Sequence, residues 1–87
     1  MHEASLMSDL MSKLETVLQG QGEAEVLSVH ITLGALAHIS PEHFREHFST
    51  AASGTRLADT RLEVTLMHDI NDPRAQDIIL ESVEVSA

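Results

Sequence analysis

The sequence predicts an α+β fold. It is a two-layer sandwich in which two helices pack on one face of a three-stranded mixed sheet, in the chain order α-β-α-β-β. Three observations carry this. Two segments repeat apolar residues every three or four positions, three others alternate apolar and polar residues, and one helical segment separates the first two strand segments. A helix between two strands makes them parallel neighbours through a right-handed crossover, and the last strand then runs antiparallel at one side. With 87 residues the chain supplies one core that buries about 60–65% of its unfolded surface. Residues 1–87 are therefore expected to form a single domain.

The first helix runs from Glu3 to about Gln19. Leu6, Met7, Leu10, Met11, Leu14, Val17 and Leu18 make its apolar face, and Gly20 and Gly22 stop it. The methionines at this spacing read as adaptable core filler. Val26 to Leu33 alternates as a strand, with Leu27, Val29, Ile31 and Leu33 inward and Ser28, His30 and Thr32 on a polar face. Ser40-Pro41-Glu42 opens the second helix with an oxygen-bearing cap, proline at the first position and an acid in the first turn. Its buried stripe is Phe44, Phe48, Ala51 and Ala52, and Ser53-Gly54 closes it.

Arg61 to Met67 is the second strand, with Leu62, Val64 and Leu66 inward and Arg61, Glu63 and Thr65 outward. His68 to Arg74 is rich in turn formers. In the third strand, Asp77 to Val85, Ile78 and Leu80 share a phase that Val83 and Val85 miss by one residue. A β-bulge near Glu81-Ser82 restores their burial. The sheet face bearing Ser28, His30, Thr32, Glu63 and Thr65 is expected to lie open to solvent or a partner. Together with the third-strand edge it offers a surface for pairing two copies as a homodimer.

Composition excludes several classes of function. Five basic against fourteen acidic residues leave a net charge of −9, which repels phosphate backbones, so no nucleic acid is expected as a partner. No apolar run approaches the ~18 residues of a membrane span and the start lacks a secretory pattern, so no membrane partner and a cytoplasmic location are expected. The absence of cysteine excludes disulfides, thiolate nucleophiles and cysteine-based zinc sites.

The metal-ligating candidates stand at the start. In Met1-His2-Glu3, an α-amino group, the following amide nitrogens and the His2 imidazole lie within chelating reach. Nitrogen donors around one plane suit Ni(II) or Cu(II). The alternative at this point is a solvated terminus, with Glu3 a helix-terminal charge. His43 and His47 stand four apart on one helical face, with Glu46 and His38 as further donors to consider. The zincin pattern needs Glu directly after the first His, where this chain has Phe44, so the pair is read as solvent-facing. A hydrolase built on His38, His43 and His47 would lack a nucleophile and an oxyanion device, and the chain is not read as an enzyme.

Taken together, the stretches resemble the nickel-binding domain of the HypA/HybF hydrogenase-maturation family. The matching pieces are MHE followed directly by an apolar helix, V-x-x-V-x-I-x-L-G-A-L at Val26 to Leu36, and S-P-E-H-F-R-E-H-F at Ser40 to Phe48. G-T-x-L-A at Gly54 to Ala58, L-E-V at Leu62 to Val64 and the ending D-I-I-L-E-S-V-E-V complete the series. The resemblance implies Ni(II) bound through the Met1 amine, the backbone nitrogen and imidazole of His2 and the backbone nitrogen of Glu3. It also implies a metallochaperone that works with a HypB-like GTPase and delivers nickel to the hydrogenase large subunit, or in some organisms to urease. The family inserts a zinc domain with two CxxC pairs between the second and third strands; here His68 to Gln76 fills that space without cysteine, so no zinc site is expected. A HypA-like interaction or regulatory module that binds no metal physiologically is the competing expectation.

Overall fold

The computed structural model describes residues 2–86, with side chains from Ser5 onward. Its elements are α1 (His2–Gln19), β1 (Val26–Leu33), α2 (Pro41–Ala52), β2 (Arg61–Leu66) and β3 (Ile78–Val85). The sheet order is β2-β1-β3, with β1 parallel to β2 and antiparallel to β3. This is the expected two-layer α+β architecture.

The core is aliphatic because the chain has almost no aromatic residues to offer. Leu10 and Leu14 of α1, Val29, Ile31 and Leu33 of β1, and Phe44 of α2 are each at most 1% exposed. Both strand segments flanking β1 contribute Leu62, Val64, Leu80 and Val83 to the rim of this cluster.

Two bulges adjust the register. His30 pairs with Ser82 and Ile31 with Leu80, so Glu81 is the extra residue that brings Val83 into phase, opposite Val29. A second irregularity falls on β1, where Val26 pairs with Val85 and Ser28 with Glu84. Leu27 is skipped there and turns outward, 47% exposed, while Val26 takes the buried place that the alternation assigns to Leu27. The inward set needs three further corrections. Leu66 ends an edge strand beyond the helical cover, Val17 lies on the flank of α1, and both are partly exposed; Ala51 is exposed, whereas Ala52 is buried. The third strand starts at Ile78, one residue later than expected.

The open sheet face is also corrected. Ser28 and Thr32 are buried, at 6% and 7% exposure. They sit on the central strand, where longer side chains from the neighbouring strand cover them. Ser28 Oγ donates to Glu84 Oε1 at 2.8 Å, and Thr32 Oγ1 donates to Glu81 Oε2 at 2.6 Å. His30 remains half-buried, with Nε2 2.9 Å from Thr65 Oγ1. Arg61 and Glu84 form a loose pair at 3.8 Å with both side chains about two-thirds exposed, an arrangement that adds little stability.

This cover makes a prediction. Glu81→Ala leaves the buried Thr32 hydroxyl without its acceptor and is expected to cost about 1–2 kcal/mol. Thr32→Val, which removes the hydroxyl at constant shape, is expected to recover most of that loss in the Glu81→Ala background, so that the double variant is close to the parent. Urea denaturation of the two single variants and the double variant measures the difference.

Between β2 and β3 the chain turns twice through aspartate side chains. Asp69 Oδ1 accepts from the Asn71 amide at 2.9 Å, and Asp72 Oδ1 accepts from the Arg74 amide at 2.8 Å. The returning segment lies directly on the end of β1. Gly34 N donates to Asp77 O at 2.8 Å and Leu36 N to Ala75 O at 2.6 Å. A Cβ at Gly34 would fall 2.2 Å from Ala75 O, so only glycine admits this contact.

Candidate functional site

The helical layer sets how α1 and α2 run relative to each other. Met11, Glu15, Leu18 and Gln19 of α1 line a groove with Thr55, Arg56 and Leu57, which follow the end of α2. Met7, Ser8 and Met11 line another with Glu46, His47, Thr50 and Ala51 of α2. The two helices therefore run parallel, and their first turns lie at the same end of the domain. Of the Met1-His2-Glu3 donors, Met1 lies outside the described residues, and the backbone of His2 and Glu3 forms the start of α1.

The second candidate group is fully described. Ser40 caps α2, its Oγ accepting from the His43 amide at 3.1 Å, and Pro41 occupies the first turn. Phe44 and Phe48 anchor the opposite face in the core with ring centroids 6.1 Å apart. Arg45 Nη1 donates to Leu62 O at 2.8 Å and ties the helix to β2. On this supported frame His43 and His47 are both exposed, as expected, and their rings converge. The two Nε2 atoms are 2.9 Å apart, the centroids 4.5 Å apart and the planes 51° apart.

The further donors considered with this pair do not join it. No group of three or more His, Asp or Glu side chains suited to a metal ion occurs among the described residues, so Glu46 and His38 add no third ligand. His38 is exposed in the connection before α2, held at φ 59°. His30 is on the sheet face and His68 follows β2. The sequence placed His43 and His47 on one face through their i, i+4 spacing, but the approach of the ring nitrogens depends on rotamers that spacing does not specify.

A groove of about 660 Å³ between α1 and β3 is lined by Leu6, Lys13, Val17, Arg74, Asp77 and Leu80, among others. It is lined by no histidine. No helix among the described residues is long and apolar enough to cross a membrane.

The fold and the exposed residues of α2 define the class as small two-layer α+β domains with a pair of converging imidazoles on one helix. The chain belongs to the HypA family, described as "Hydrogenase/urease nickel incorporation, metallochaperone, hypA", which it matches over residues 1–70. That match includes α1 through β2 and ends in the connection before β3.

Curated relatives agree. The chain is 39% identical over 64 residues to the hydrogenase maturation factor HypA of Rhodopseudomonas palustris strain BisA53, covering 74% of this chain and 57% of the relative. It is 37% identical over 67 residues to that of strain TIE-1, covering 77% and 59%. With the HypA of Acidithiobacillus ferrooxidans strain ATCC 53993 it is 38% identical over 64 residues, covering 74% and 57%. The matched region thus spans less than two thirds of the length of these relatives. No solved structure matches the chain.

Proposed function

We propose that this chain is a small nickel-binding accessory protein for nickel-iron hydrogenase maturation, a HypA-like domain without the inserted zinc module. Ni(II) is its cargo. The ligands are the Met1 amine, the backbone nitrogen and imidazole of His2 and the backbone nitrogen of Glu3. The observation that carries this reading is that the family match begins at residue 1 and so takes in Met1-His2-Glu3. The start of α1 at His2 supports it: the first four amide groups of a helix have no intrahelical partner, which leaves these nitrogens for a metal. Four nitrogens in one plane satisfy the tetragonal preference of Ni(II), and a site at a chain end is open enough to release its ion. A HypB-like GTPase and the hydrogenase large subunit are the partners this function requires.

A second reading is a HypA-like interaction module that docks on a maturation partner without carrying metal. The absence of cysteine, and with it of the family's zinc ligands, favours it.

Calorimetric titration with nickel sulfate separates the two, using protein with a free Met1 amine. The expected result is a tight one-to-one phase that disappears in His2→Ala. It should also weaken markedly from neutral to mildly acid pH, because each ligand must lose its proton before it binds. A titration unchanged by His2→Ala would overturn the terminal site, and a parent chain that binds no Ni(II) would favour the interaction module.

A further inference from the structure

The geometry points to a second Ni(II) site on the surface of α2, formed by Nε2 of His43 and Nε2 of His47. The argument begins with a distance. Two nitrogens bound at about 2.05 Å and about 90° apart are separated by about 2.9 Å, whereas a tetrahedral angle separates them by about 3.35 Å. The observed separation is 2.9 Å, a hydrogen-bond contact that already holds both nitrogens within a few tenths of an ångström of either span.

Three features of the chain support binding there. Both imidazoles are exposed, so an ion reaches them without any backbone opening. The frame beneath them is held by the Ser40 cap, the two buried phenylalanines and the Arg45 link to β2, so chelation orders little that is not already ordered. Glu42 and Glu46 flank the pair on the same helix within a chain of net charge −9, and this field concentrates cations at the surface. Binding proceeds by exchange. The ring that donates through Nε2–H exchanges that proton with solvent for one on Nδ1, so that both neutral rings offer an Nε2 lone pair; the rings rotate about χ2 until both lone pairs face one ion, and water fills the remaining coordination positions.

This site is separate from the one proposed at the terminus. There, the amine, two amide nitrogens and one imidazole complete a plane of four donors, which leaves no equatorial position for His43 or His47. Because α1 and α2 begin at the same end of the domain, the two sites would share that end. The inference rests on the geometry of the pair and does not require the terminal site to exist.

The test is titration with nickel sulfate of the full chain with a free Met1 amine, alongside His2→Ala, the double variant His43→Gln/His47→Gln and, as a control for a lone imidazole, His68→Gln. The expected result is a second, weaker equivalent in the parent chain. It should survive His2→Ala and His68→Gln and weaken about tenfold or more in the double variant, since one imidazole lacks the advantage of intramolecular closure. Paramagnetic broadening of the His43 and His47 ring signals should accompany this equivalent in the parent chain. All the substituted side chains described in the structure are exposed, and unchanged circular dichroism would establish that each variant folds.

The site is overturned if no second equivalent appears, or if it is unaffected by the double variant. A single equivalent abolished by His2→Ala and by the double variant alike would mean one joint site and would also overturn it. Loss of an equivalent in the double variant with a silent His2→Ala would sustain the α2 site and remove the terminal one.

Discussion

Gly34→Ala is expected to destabilise the domain by roughly 3 kcal/mol or more, which for a chain of this size lowers Tm by about 12–24 °C. The added methyl would lie 2.2 Å from Ala75 O, 2.6 Å from Ala75 C and 2.8 Å from Arg74 O. All three are backbone atoms, so no side chain can rotate away. Relief requires the segment before β3 to lift off the end of β1. That movement breaks the bonds from Gly34 N to Asp77 O and from Leu36 N to Ala75 O and exposes Ala75, now 3% accessible. Gly20→Ala is the matched control. Its nearest neighbour would be Val17 O at 3.7 Å, an ordinary contact, and its effect should stay within about 0.5 kcal/mol. Thermal unfolding of the two variants beside the parent decides the point, and equal midpoints would show that the β2–β3 connection is not seated on Gly34.

Phe44→Ala carries the other large expected effect, about 3–5 kcal/mol. Phe44 is fully buried and, with Phe48 beside it, supplies all the aromatic volume in the chain. The surrounding core is aliphatic and packed from both layers, so a cavity left by the ring cannot be filled by one neighbour without disturbing others. A domain of this size holds only about 5–10 kcal/mol in total, and much of the variant is expected to be unfolded at 37 °C. Urea denaturation at 25 °C measures it. A loss below about 1 kcal/mol would mean that α2 is docked by contacts other than its phenylalanine stripe. The result also bears on the candidate α2 metal site, because the same ring anchors the face opposite His43 and His47.

Much of the fold is legible in local pattern. The limits of β1 and α2 follow from strict alternation in one and from a serine cap, proline and acid in the other. The bulge at Glu81 is readable because β pairing has a period of two, so a one-residue phase slip between Leu80 and Val83 must be absorbed within the strand. The bulge at Leu27 leaves no such signature. Val26 and Leu27 are both apolar and either satisfies the pattern, and the choice depends on where β3 pairs.

The candidate site divides in the same way. Met1-His2-Glu3 is legible as a possible chelator because its donors are consecutive in the chain. His43 and His47 are legible as helical neighbours, but the 2.9 Å approach of their nitrogens depends on rotamers.

The sequence by itself determined the element order, the apolar faces of both helices, the mixed pairing of the three strands and the choice of histidines and the chain start as candidate donors. These follow from periodicity, capping and the lack of cysteine, all of which are short-range or compositional. Tertiary structure decided the contacts between distant residues. Ser28 and Thr32 became buried because carboxylates 56 and 49 residues away cover them. Gly34 became irreplaceable because the connection before β3 returns to its α-carbon, and the first turns of α1 and α2 came to one end because both helices pack in parallel on the same sheet face. Periodicity specifies which side of an element is apolar; which distant group covers its other side is decided only when the layers pack.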